Sequence, residues 1–255
     1  MTKIALVTGA TAGIGEATAL KLAEAGFNLI ITGRRKEKLE VLAQKVSSQY
    51  QKDCHILCFD IRQLSEVENA IDNLPENWKN IQLLVNNAGL AVGVSPIQEG
   101  TVDDWERMID TNVKGLLYIT RKVSPLMVER KTGHIVNIAS IAGKEVYPGG
   151  NVYCATKHAV DALTKGMRID LLPHGIKVTS IAPGMVETEF SIVRFKGDQE
   201  KADGVYNGLT PLYAEDIADT VVFAATRPAH VNINDILIMP TAQASSRDVV
   251  RNEIK

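Results

Sequence analysis

Seven short apolar runs, separated by longer segments with helical spacing, constrain the fold of this chain more than any other feature. The runs consist almost continuously of Val, Ile and Leu, which is typical of strands covered on both faces in a parallel sheet. They lie at Ile4–Thr8, Asn28–Thr32, His55–Phe59, Leu83–Asn86, His134–Ile138, Lys177–Ile181 and Ile236–Met239. Because strand and helix alternate, the connections should be βαβ crossovers. We therefore expect an α/β fold with a doubly wound, seven-stranded parallel sheet and helices on both faces.

The segments between these runs predict the helices and the domain organisation. Helices are expected at Glu16–Ala25, Glu37–Gln49, Val102–Glu129, Tyr153–Leu172 and Ala214–Thr226. Gly and Pro fall at the junctions instead of forming a linker, so residues 1–255 should make a single domain. The long polar segment 184–209 breaks the alternation and is predicted to be a substrate-binding lid. Residues 241–255 are predicted to be a C-terminal tail with few apolar residues.

Charge and composition exclude several classes of protein. The formal net charge is only −2 and Lys and Arg form no long run, so nucleic-acid binding is not expected. No window approaches the ~20 apolar residues of a membrane-spanning helix, and the N-terminal apolar run leads into a Gly-rich turn rather than a cleavage site. The three Cys have no spacing typical of a disulfide framework or a metal site, and no metal is expected. These features indicate a cytoplasmic protein.

A Gly-rich turn, TGATAGIG, joins the first predicted strand to the first predicted helix. Gly9, Gly13 and Gly15 allow a tight turn and a close approach of the backbone to a pyrophosphate, whose charge would lie at the helix N-terminus. A turn that merely requires positive φ angles is the alternative. The position between strand and helix favours a dinucleotide site on a Rossmann-like sheet.

The residues after the second predicted strand indicate which dinucleotide is bound. Many dinucleotide-binding folds place an acidic residue there to bind the ribose 2′-hydroxyl, but here Gly33 is followed by Arg34 and Arg35. Two guanidinium groups suit a 2′-phosphate through charge-assisted hydrogen bonds, which predicts NADP rather than NAD. The alternative is that both arginines belong to a solvated basic stretch with Lys36 and Lys38.

Tyr153 and Lys157 are four residues apart on a predicted helix and therefore share one face. A phenol has a pKa of about 10, and nearby positive charge from Lys157 and the oxidised nicotinamide should lower that pKa. Tyr153 could then act as a base in alcohol oxidation and as an acid in carbonyl reduction. Ser140, at the end of the HIVNIAS strand, could hold the substrate oxygen. A packed and partly solvated helix face is the alternative for a Tyr and a Lys at this spacing.

The order and spacing of several short motifs resemble the short-chain dehydrogenase/reductase family over essentially the whole chain. The matching pieces are TGATAGIG at 8–15, NNAG at 86–89, Asn112, Ser140, YCATK at 153–157 and PGMVET at 183–188. The resemblance implies an oxidoreductase acting on CH–OH groups and assembling as a homotetramer. It also implies catalytic roles for Asn112, Ser140, Tyr153 and Lys157.

The same resemblance implies the cofactor contacts. It places cofactor-binding residues at Gly9, Thr11, Gly13, Ile14, Gly15, Arg34, Arg35, Asp60, Ile61, Asn87, Ala88, Gly89, Tyr153, Lys157, Pro183, Gly184, Val186 and Thr188. Within that set Asp60 would contact adenine, Thr188 the carboxamide and Lys157 the nicotinamide ribose. Asn112 would anchor a water molecule in a proton relay, or alternatively be a polar helix residue that satisfies backbone groups.

The C-terminal third narrows the resemblance to the NADP-dependent 3-hydroxy acid dehydrogenases, through TEFSIVRFKGD at 188–198 and PAHVNINDILIMPTAQ at 228–243. That group oxidises serine, allo-threonine and related acids such as 3-hydroxypropionate, or reduces semialdehydes. Arg194 is the candidate partner for a substrate carboxylate, and an anchor for the lid or a subunit contact is its alternative. Glu187 and Glu189 lie nearby for an amino group. A reductase of another carbonyl class, such as 3-oxoacyl thioesters or diketones, and a non-catalytic NADPH-binding regulator are the rival functions.

Overall fold

The computed structural model describes residues 3–252, so the expectations for residues 1–2 and for the tail at 253–255 lie outside the described residues. Seven parallel strands form one sheet in the order β3-β2-β1-β4-β5-β6-β7. The strands are β1 Lys3–Val7, β2 Phe27–Gly33, β3 Cys54–Cys58, β4 Ile81–Asn86, β5 Gly133–Ile138, β6 Ile176–Pro183 and β7 Asp235–Ile238. The predicted doubly wound, Rossmann-like α/β fold is confirmed, and each strand overlaps the apolar run that predicted it.

Helices cover both faces of the sheet. They are α1 Gly13–Glu24, α2 Lys36–Tyr50, α3 Leu64–Asp72, α4 Val102–Ile109, α5 Leu116–Arg130, α6 Asn151–Leu171, α7 Glu189–Arg194, α8 Gln199–Gly204 and α9 Ala214–Ala225. None of these helices is long and apolar enough to cross a membrane.

Two apolar cores, one on each face, hold the helices to the sheet. On one face Leu22 of α1, Leu42 of α2 and Val221 of α9 are almost fully buried. On the other face Ile119 of α5 is fully buried, and Met167 of α6 packs against the same cluster. The five inner strands lie between these two layers and are largely shielded from water on both faces, which explains why their sequences are continuous apolar runs rather than alternating ones.

The long helix predicted at 102–129 is interrupted. A π-helical turn at Asp110–Gly115 separates α4 from α5. An extra residue per turn changes which side chains face inward, and such turns are frequent at functional sites. This one contains Asn112, a predicted catalytic residue. Apolar periodicity alone gives no sign of the interruption.

The strand order places the site. The chain starts in the middle of the sheet at β1, builds outward to β3, and then returns to β4 on the other side of β1. Ligands of such folds bind in the crevice at the carboxyl ends of the strands where this reversal occurs. The Gly-rich turn follows β1, Asn87 follows β4 and Ser140 lies two residues after β5, so all three lie at that edge.

Two further segments cross the same edge. The predicted lid, residues 184–209, contains the short helices α7 and α8. The tail then crosses the lid, because Asn252 N donates to Gly208 O at 2.8 Å and Met185 N donates to the Gln243 Oε1 at 2.9 Å. Within the described residues, the tail therefore packs on the lid of its own chain.

Candidate active site

A cavity of about 830 Å³ opens at the carboxyl edge of the sheet. Its walls come from the Gly-rich turn, the ends of β2 to β6, the first turns of α6, the lid and the tail. Of the predicted site residues, those that line it are Gly9, Thr11, Gly13, Ile14, Arg34, Arg35, Asp60, Ile61, Asn87, Ala88, Gly89, Ser140, Tyr153, Lys157, Pro183, Gly184, Val186, Thr188 and Arg194. Gly15 and Asn112 are not among the lining residues of the described chain.

The Gly-rich turn is shaped by close backbone packing. Gly9 and Gly13 adopt φ angles of +66° and +55°, a region that side chains disfavour. A Cβ on Gly15 would collide with the Gly9 carbonyl oxygen, so Gly15 serves the packing of the turn rather than the cavity wall. A Cβ on Gly13 would come within 3.2 Å of Thr188 across the cleft. The turn therefore presents bare backbone to the cavity, as a pyrophosphate at the start of α1 requires.

Hydrogen bonds from β4 fix this turn. The Thr8 hydroxyl accepts from the backbone N–H of Asn87 and of Ala88, each at 3.0 Å. The Asn87 side-chain amide donates to the carbonyl oxygens of Thr8, at 2.9 Å, and Gly9, at 3.2 Å. Asn87 lines the cavity as expected, and its amide also holds the Gly-rich turn against the end of β4.

The two arginines after β2 lie at one end of the cavity. Arg35 donates from Nη2 to the Thr11 hydroxyl at 2.8 Å, which ties it to the Gly-rich turn. The Arg34 side chain is 61% exposed, and its guanidinium lies 3.9 Å from the carboxylate of Asp60. Both arginines line the cavity, whereas Lys36 is not among the described residues that do. Two guanidinium groups that line the same end of the cavity, one of them held by the Thr11 hydroxyl, fit a 2′-phosphate.

Asp60, which is expected to contact adenine, forms an ion pair with Arg62. Its carboxylate accepts from Arg62 Nη2 at 2.6 Å and from Arg62 Nε at 3.0 Å. Burial would raise the pKa of Asp60, but the hydrogen bonds from Arg62 outweigh it and hold the pKa below its ordinary value. The adenine contact therefore stays a prediction.

Tyr153, Lys157 and Ser140 meet at the floor of the cavity. Tyr153 and Lys157, on the first two turns of α6, are 9% and 6% exposed. The Lys157 Nζ donates to the carbonyl oxygen of Ile138 at 2.9 Å and lies 6.0 Å from the centroid of the Tyr153 ring. Ser140 accepts from Ala142 N at 3.1 Å, which leaves its hydroxyl hydrogen free to donate. The structure thus brings the predicted trio together.

The electrostatics of the trio differ from the prediction. Burial raises the pKa of Tyr153 above its ordinary value, while a hydrogen bond with Ser140 and the charge of Arg194 lower it only in part. Burial also lowers the pKa of Lys157 to about 8. Lys157 does not make the phenol acidic in this structure, because desolvation of both groups dominates, and the expected contribution of the oxidised nicotinamide stays a prediction. A protonated phenol at neutral pH suits the donation of a proton to a carbonyl oxygen.

Asn112 is fully engaged with the protein. From the π-helical turn its Nδ2 donates to Leu90 O at 2.8 Å and to the Thr156 hydroxyl at 3.0 Å, and its Oδ1 accepts from Leu90 N at 2.8 Å. It thereby ties the segment after β4 to α6, the helix that carries Tyr153. This pattern favours the alternative in which Asn112 satisfies backbone groups, and its water-anchoring function stays a prediction.

Arg194, at the end of α7, supplies a cation beside the phenol. Its guanidinium lies 5.9 Å from the centroid of the Tyr153 ring and donates to the Tyr147 hydroxyl at 3.0 Å. The buried Arg194 Nε has no hydrogen-bond partner among the described residues. An orphaned charged donor beside the cavity matches the predicted carboxylate partner.

Sequence reasoning missed several lining residues. Tyr147 lies in the segment between β5 and α6, where no periodicity marks it. From the tail, Gln243, Ser246, Arg247, Val249 and Arg251 also line the cavity. These tail residues could not be predicted, because a segment with few apolar residues has no hydrophobic pattern that indicates where it packs.

Two further lid residues, Thr188 and Glu189, have hydrogen-bond partners within the protein. The Thr188 hydroxyl accepts from Phe190 N at 3.2 Å and caps α7, which leaves its hydrogen free to donate into the cavity that it lines. Glu189 pairs with Arg35 and Lys38, so its carboxylate is not available for a substrate amino group. Among residues 3–252, no group of His, Cys, Asp and Glu side chains is placed to hold a metal ion.

Comparisons with known proteins identify the family of this chain. Residues 3–199 match the family described as short chain dehydrogenase. Sulfoacetaldehyde reductase 2 of Chromohalobacter salexigens is 47% identical over 247 residues, which cover 96% of this chain and 97% of that protein. The NADP-dependent 3-hydroxy acid dehydrogenase YdfG of Salmonella typhi is 49% identical over 242 residues, 94% of this chain and 96% of that protein.

A solved structure gives the same result. The closed form of serine dehydrogenase complexed with NADP+ is similar at a TM-score of 0.92 and 46% identity, covering 98% of this chain and all of that one. The family match spans most of the chain and the relatives span nearly all of it, so the resemblance inferred from the motifs is confirmed. The chain belongs to the short-chain dehydrogenase family.

Proposed function

We propose that this chain is an NADP-dependent oxidoreductase that interconverts small 3-hydroxy acids and the corresponding acid-bearing aldehydes. The observation that carries the proposal is the Arg194 guanidinium, 5.9 Å from the ring of the proton-transfer candidate Tyr153 in one cavity. A fixed cation beside the reacting group selects substrates that carry an anion close to the carbonyl. The relatives named for 3-hydroxy acids and for sulfoacetaldehyde act on molecules of this kind.

The residues present fit the cofactor. The bare backbone at Gly9 and Gly13 suits the pyrophosphate, and Arg34 and Arg35 suit the 2′-phosphate. At the other end of the cavity, Lys157 and Thr188 would bind the nicotinamide ribose and the carboxamide. Bound NADPH supplies the hydride for carbonyl reduction, and NADP+ accepts it in the reverse direction.

Tyr153 carries the proton. In the reducing direction its phenol donates a proton to the carbonyl oxygen, and the raised pKa keeps that proton in place at neutral pH. The Ser140 hydroxyl donates to the same oxygen and orients it. In the oxidising direction the phenol must first lose its proton, so we expect the oxidation rate to increase with pH above neutrality.

Arg194 binds the acid group of the substrate. Its unpaired Nε–H and its Nη groups form a planar fork that suits a carboxylate or a sulfonate. The short distance from Arg194 to the Tyr153 ring suits a substrate in which one carbon separates the carbonyl from the acid. This arrangement favours malonic semialdehyde and sulfoacetaldehyde over long-chain or uncharged carbonyl compounds.

A substrate panel tests the proposal. Reduction with NADPH should be compared for malonic semialdehyde, sulfoacetaldehyde, propanal, a short 3-oxoacyl thioester and a diketone, and oxidation with NADP+ for 3-hydroxypropionate, serine and allo-threonine. We expect kcat/KM for the acid-bearing aldehydes to exceed that for propanal at least about tenfold. Faster turnover of the thioester or the diketone would make the protein a reductase of another class. NADPH binding without turnover of any carbonyl would indicate a regulator.

We further propose that 184–209 is the substrate-binding lid, that the tail from 241 completes its outer wall, and that the protein is a cytoplasmic homotetramer. Exposed apolar side chains support the assembly, since Ile169 and Leu172 at the end of α6 are 72% and 73% exposed. Leu237 on the edge strand β7 is 48% exposed. Light scattering should give four times the chain mass of 27.8 kDa. A monomeric mass would contradict the assembly.

A further inference from the structure

One carboxylate of the lid reaches across the cleft to the cofactor side. Glu189, the first residue of α7, accepts from Arg35 Nη1 at 2.9 Å and from Lys38 Nζ at 2.8 Å. We call this arrangement the lid bridge. It joins the lid to the start of α2, more than 150 residues earlier in the chain. Hydrogen bonds from Lys38 and Arg35 lower the pKa of Glu189, so the carboxylate is ionised at neutral pH.

The lid bridge adjoins the predicted phosphate site, with which it shares Arg35. Arg35 and Glu189 line the cavity, but Lys38 is not among the described residues that do. Arg35 binds the Thr11 hydroxyl through Nε and Nη2 and uses Nη1 for Glu189, so its guanidinium connects the turn to the lid. The Glu189 carboxylate is therefore held between Arg35, which lines the cavity, and Lys38, which does not, so it fastens the lid at the edge of the cavity.

We propose that Glu189 is a positioning residue that holds the lid closed, so that the lid bridge sets how long NADPH stays bound and keeps Arg194 in place beside Tyr153. Both Glu189 and Arg194 belong to the six-residue helix α7, so a contact that fixes one end of the helix also restrains the other. The inference uses the proposed function in one respect, that the cofactor beneath the lid is NADPH. The nearby Glu187 is exposed and has no side-chain partner among the described residues, so it offers a matched control.

A purely electrostatic function of Glu189 makes the opposite prediction. A carboxylate beside the 2′-phosphate repels it, so its removal alone would slow NADPH release, while removal of Lys38 would speed it. A lid bridge predicts that both removals speed release, because each breaks the same clamp. The signs of the two effects therefore distinguish the explanations.

The experiment compares the wild type with Glu189→Gln, Lys38→Met, the double variant and Glu187→Gln. NADPH release is followed by stopped-flow fluorescence, and amide hydrogen exchange of residues 189–204 is followed without added cofactor. We expect Glu189→Gln to speed release and to raise exchange about two- to fivefold, the range for partly exposed ion pairs. Lys38→Met should act in the same direction, the double variant should match Glu189→Gln, and Glu187→Gln should match the wild type.

Slower or unchanged release in Glu189→Gln, or effects of the two substitutions that add, would overturn the inference. The hydrogen-exchange measurement keeps this outcome separate from a failure of the proposed function. If NADPH does not bind to the wild type, the cofactor proposal is wrong, but raised exchange in Glu189→Gln and Lys38→Met would still establish the lid bridge.

Discussion

The Gly-rich turn with its first helix and the lid with its two short helices face each other across one cavity, yet they are held in different ways. Helix α1 buries six of its residues, and Asn87 fixes the turn before it. In the lid, α7 buries Ser191 and α8 buries Ala202. The lid depends instead on ion pairs such as the one between Lys196 and Asp104 at 2.7 Å.

This difference separates two tasks. Segments with few buried apolar residues open at a small cost in free energy, whereas core segments open only with the whole fold. Tyr153, Lys157 and Ser140 must keep fixed distances during proton transfer, and they lie on the core side. Arg194 and Glu189 must admit and release ligands, and they lie on the lid. Substitutions on the core side should therefore alter chemistry, and substitutions on the lid should alter selection and release.

The largest effect is expected from Tyr153→Phe. The substitution removes the hydroxyl but keeps the ring, which packs edge-on against Phe190 at a centroid distance of 5.7 Å. Loss of general acid catalysis should lower kcat about 10²- to 10⁴-fold. NADPH affinity, measured by fluorescence titration, should change far less than kcat, since Tyr153 is only one of many predicted cofactor contacts. Full turnover in the variant would show that Tyr153 does not transfer the proton.

Replacement of a phosphate-site arginine should have the next largest effect. Arg35→Ala removes a charge-assisted donor, so the preference for NADPH over NADH, measured as a ratio of kcat/KM values, should decrease about 10- to 100-fold. Lys36→Ala is the control from the same basic stretch, since Lys36 is 67% exposed and pairs with Glu40. Equal effects of the two substitutions would favour a merely solvated stretch.

Lys157→Met should have a smaller effect, on stability. Because burial lowers the pKa of Lys157 from 10.5 to about 8, its charge is unfavourable to folding at neutral pH. We expect the variant to gain about 1–3 kcal/mol in the free energy of unfolding at pH 7, as measured by urea denaturation. The gain is limited because the variant also loses the hydrogen bond to the carbonyl oxygen of Ile138.

The pH dependence provides the check on that stability difference. The wild type loses the buried charge as pH rises through about 8, while the unfolded chain keeps its proton up to 10.5, so the wild type should gain stability in this range. The advantage of Lys157→Met should therefore shrink between pH 8 and pH 10.5. The prediction would be contradicted if the variant were less stable than the wild type at neutral pH, or if the stability difference did not change with pH. Either result would show that the buried charge of Lys157 does not destabilise the fold.

The same division between core and lid explains what the sequence could predict. The five inner strands are covered on both faces and are therefore almost continuously apolar, which made them predictable, and the partly exposed edge strands β3 and β7 keep enough apolar residues to be predicted as well. Ser140 followed from its position at the end of a predicted strand, and Tyr153 and Lys157 from their four-residue spacing on a predicted helix. Helix α3 was missed because only Val67 and Ile71 are buried in its nine residues.

Other features depend on tertiary contacts that no local pattern records. Tyr147 and Gln243 reach the cavity from segments without periodicity. The direction of the pKa shift of Tyr153 depends on how deeply the ring is buried, which spacing along a helix does not reveal.

The most direct test of the account is the selectivity of Arg194→Ala, measured as the ratio of kcat/KM for malonic semialdehyde to kcat/KM for propanal. If the lid cation selects the anion while the core side performs the chemistry, this ratio should decrease at least about tenfold with propanal turnover unchanged, and KM for 3-hydroxypropionate should rise. An unchanged ratio, or an equal loss of turnover with both aldehydes, would contradict the account.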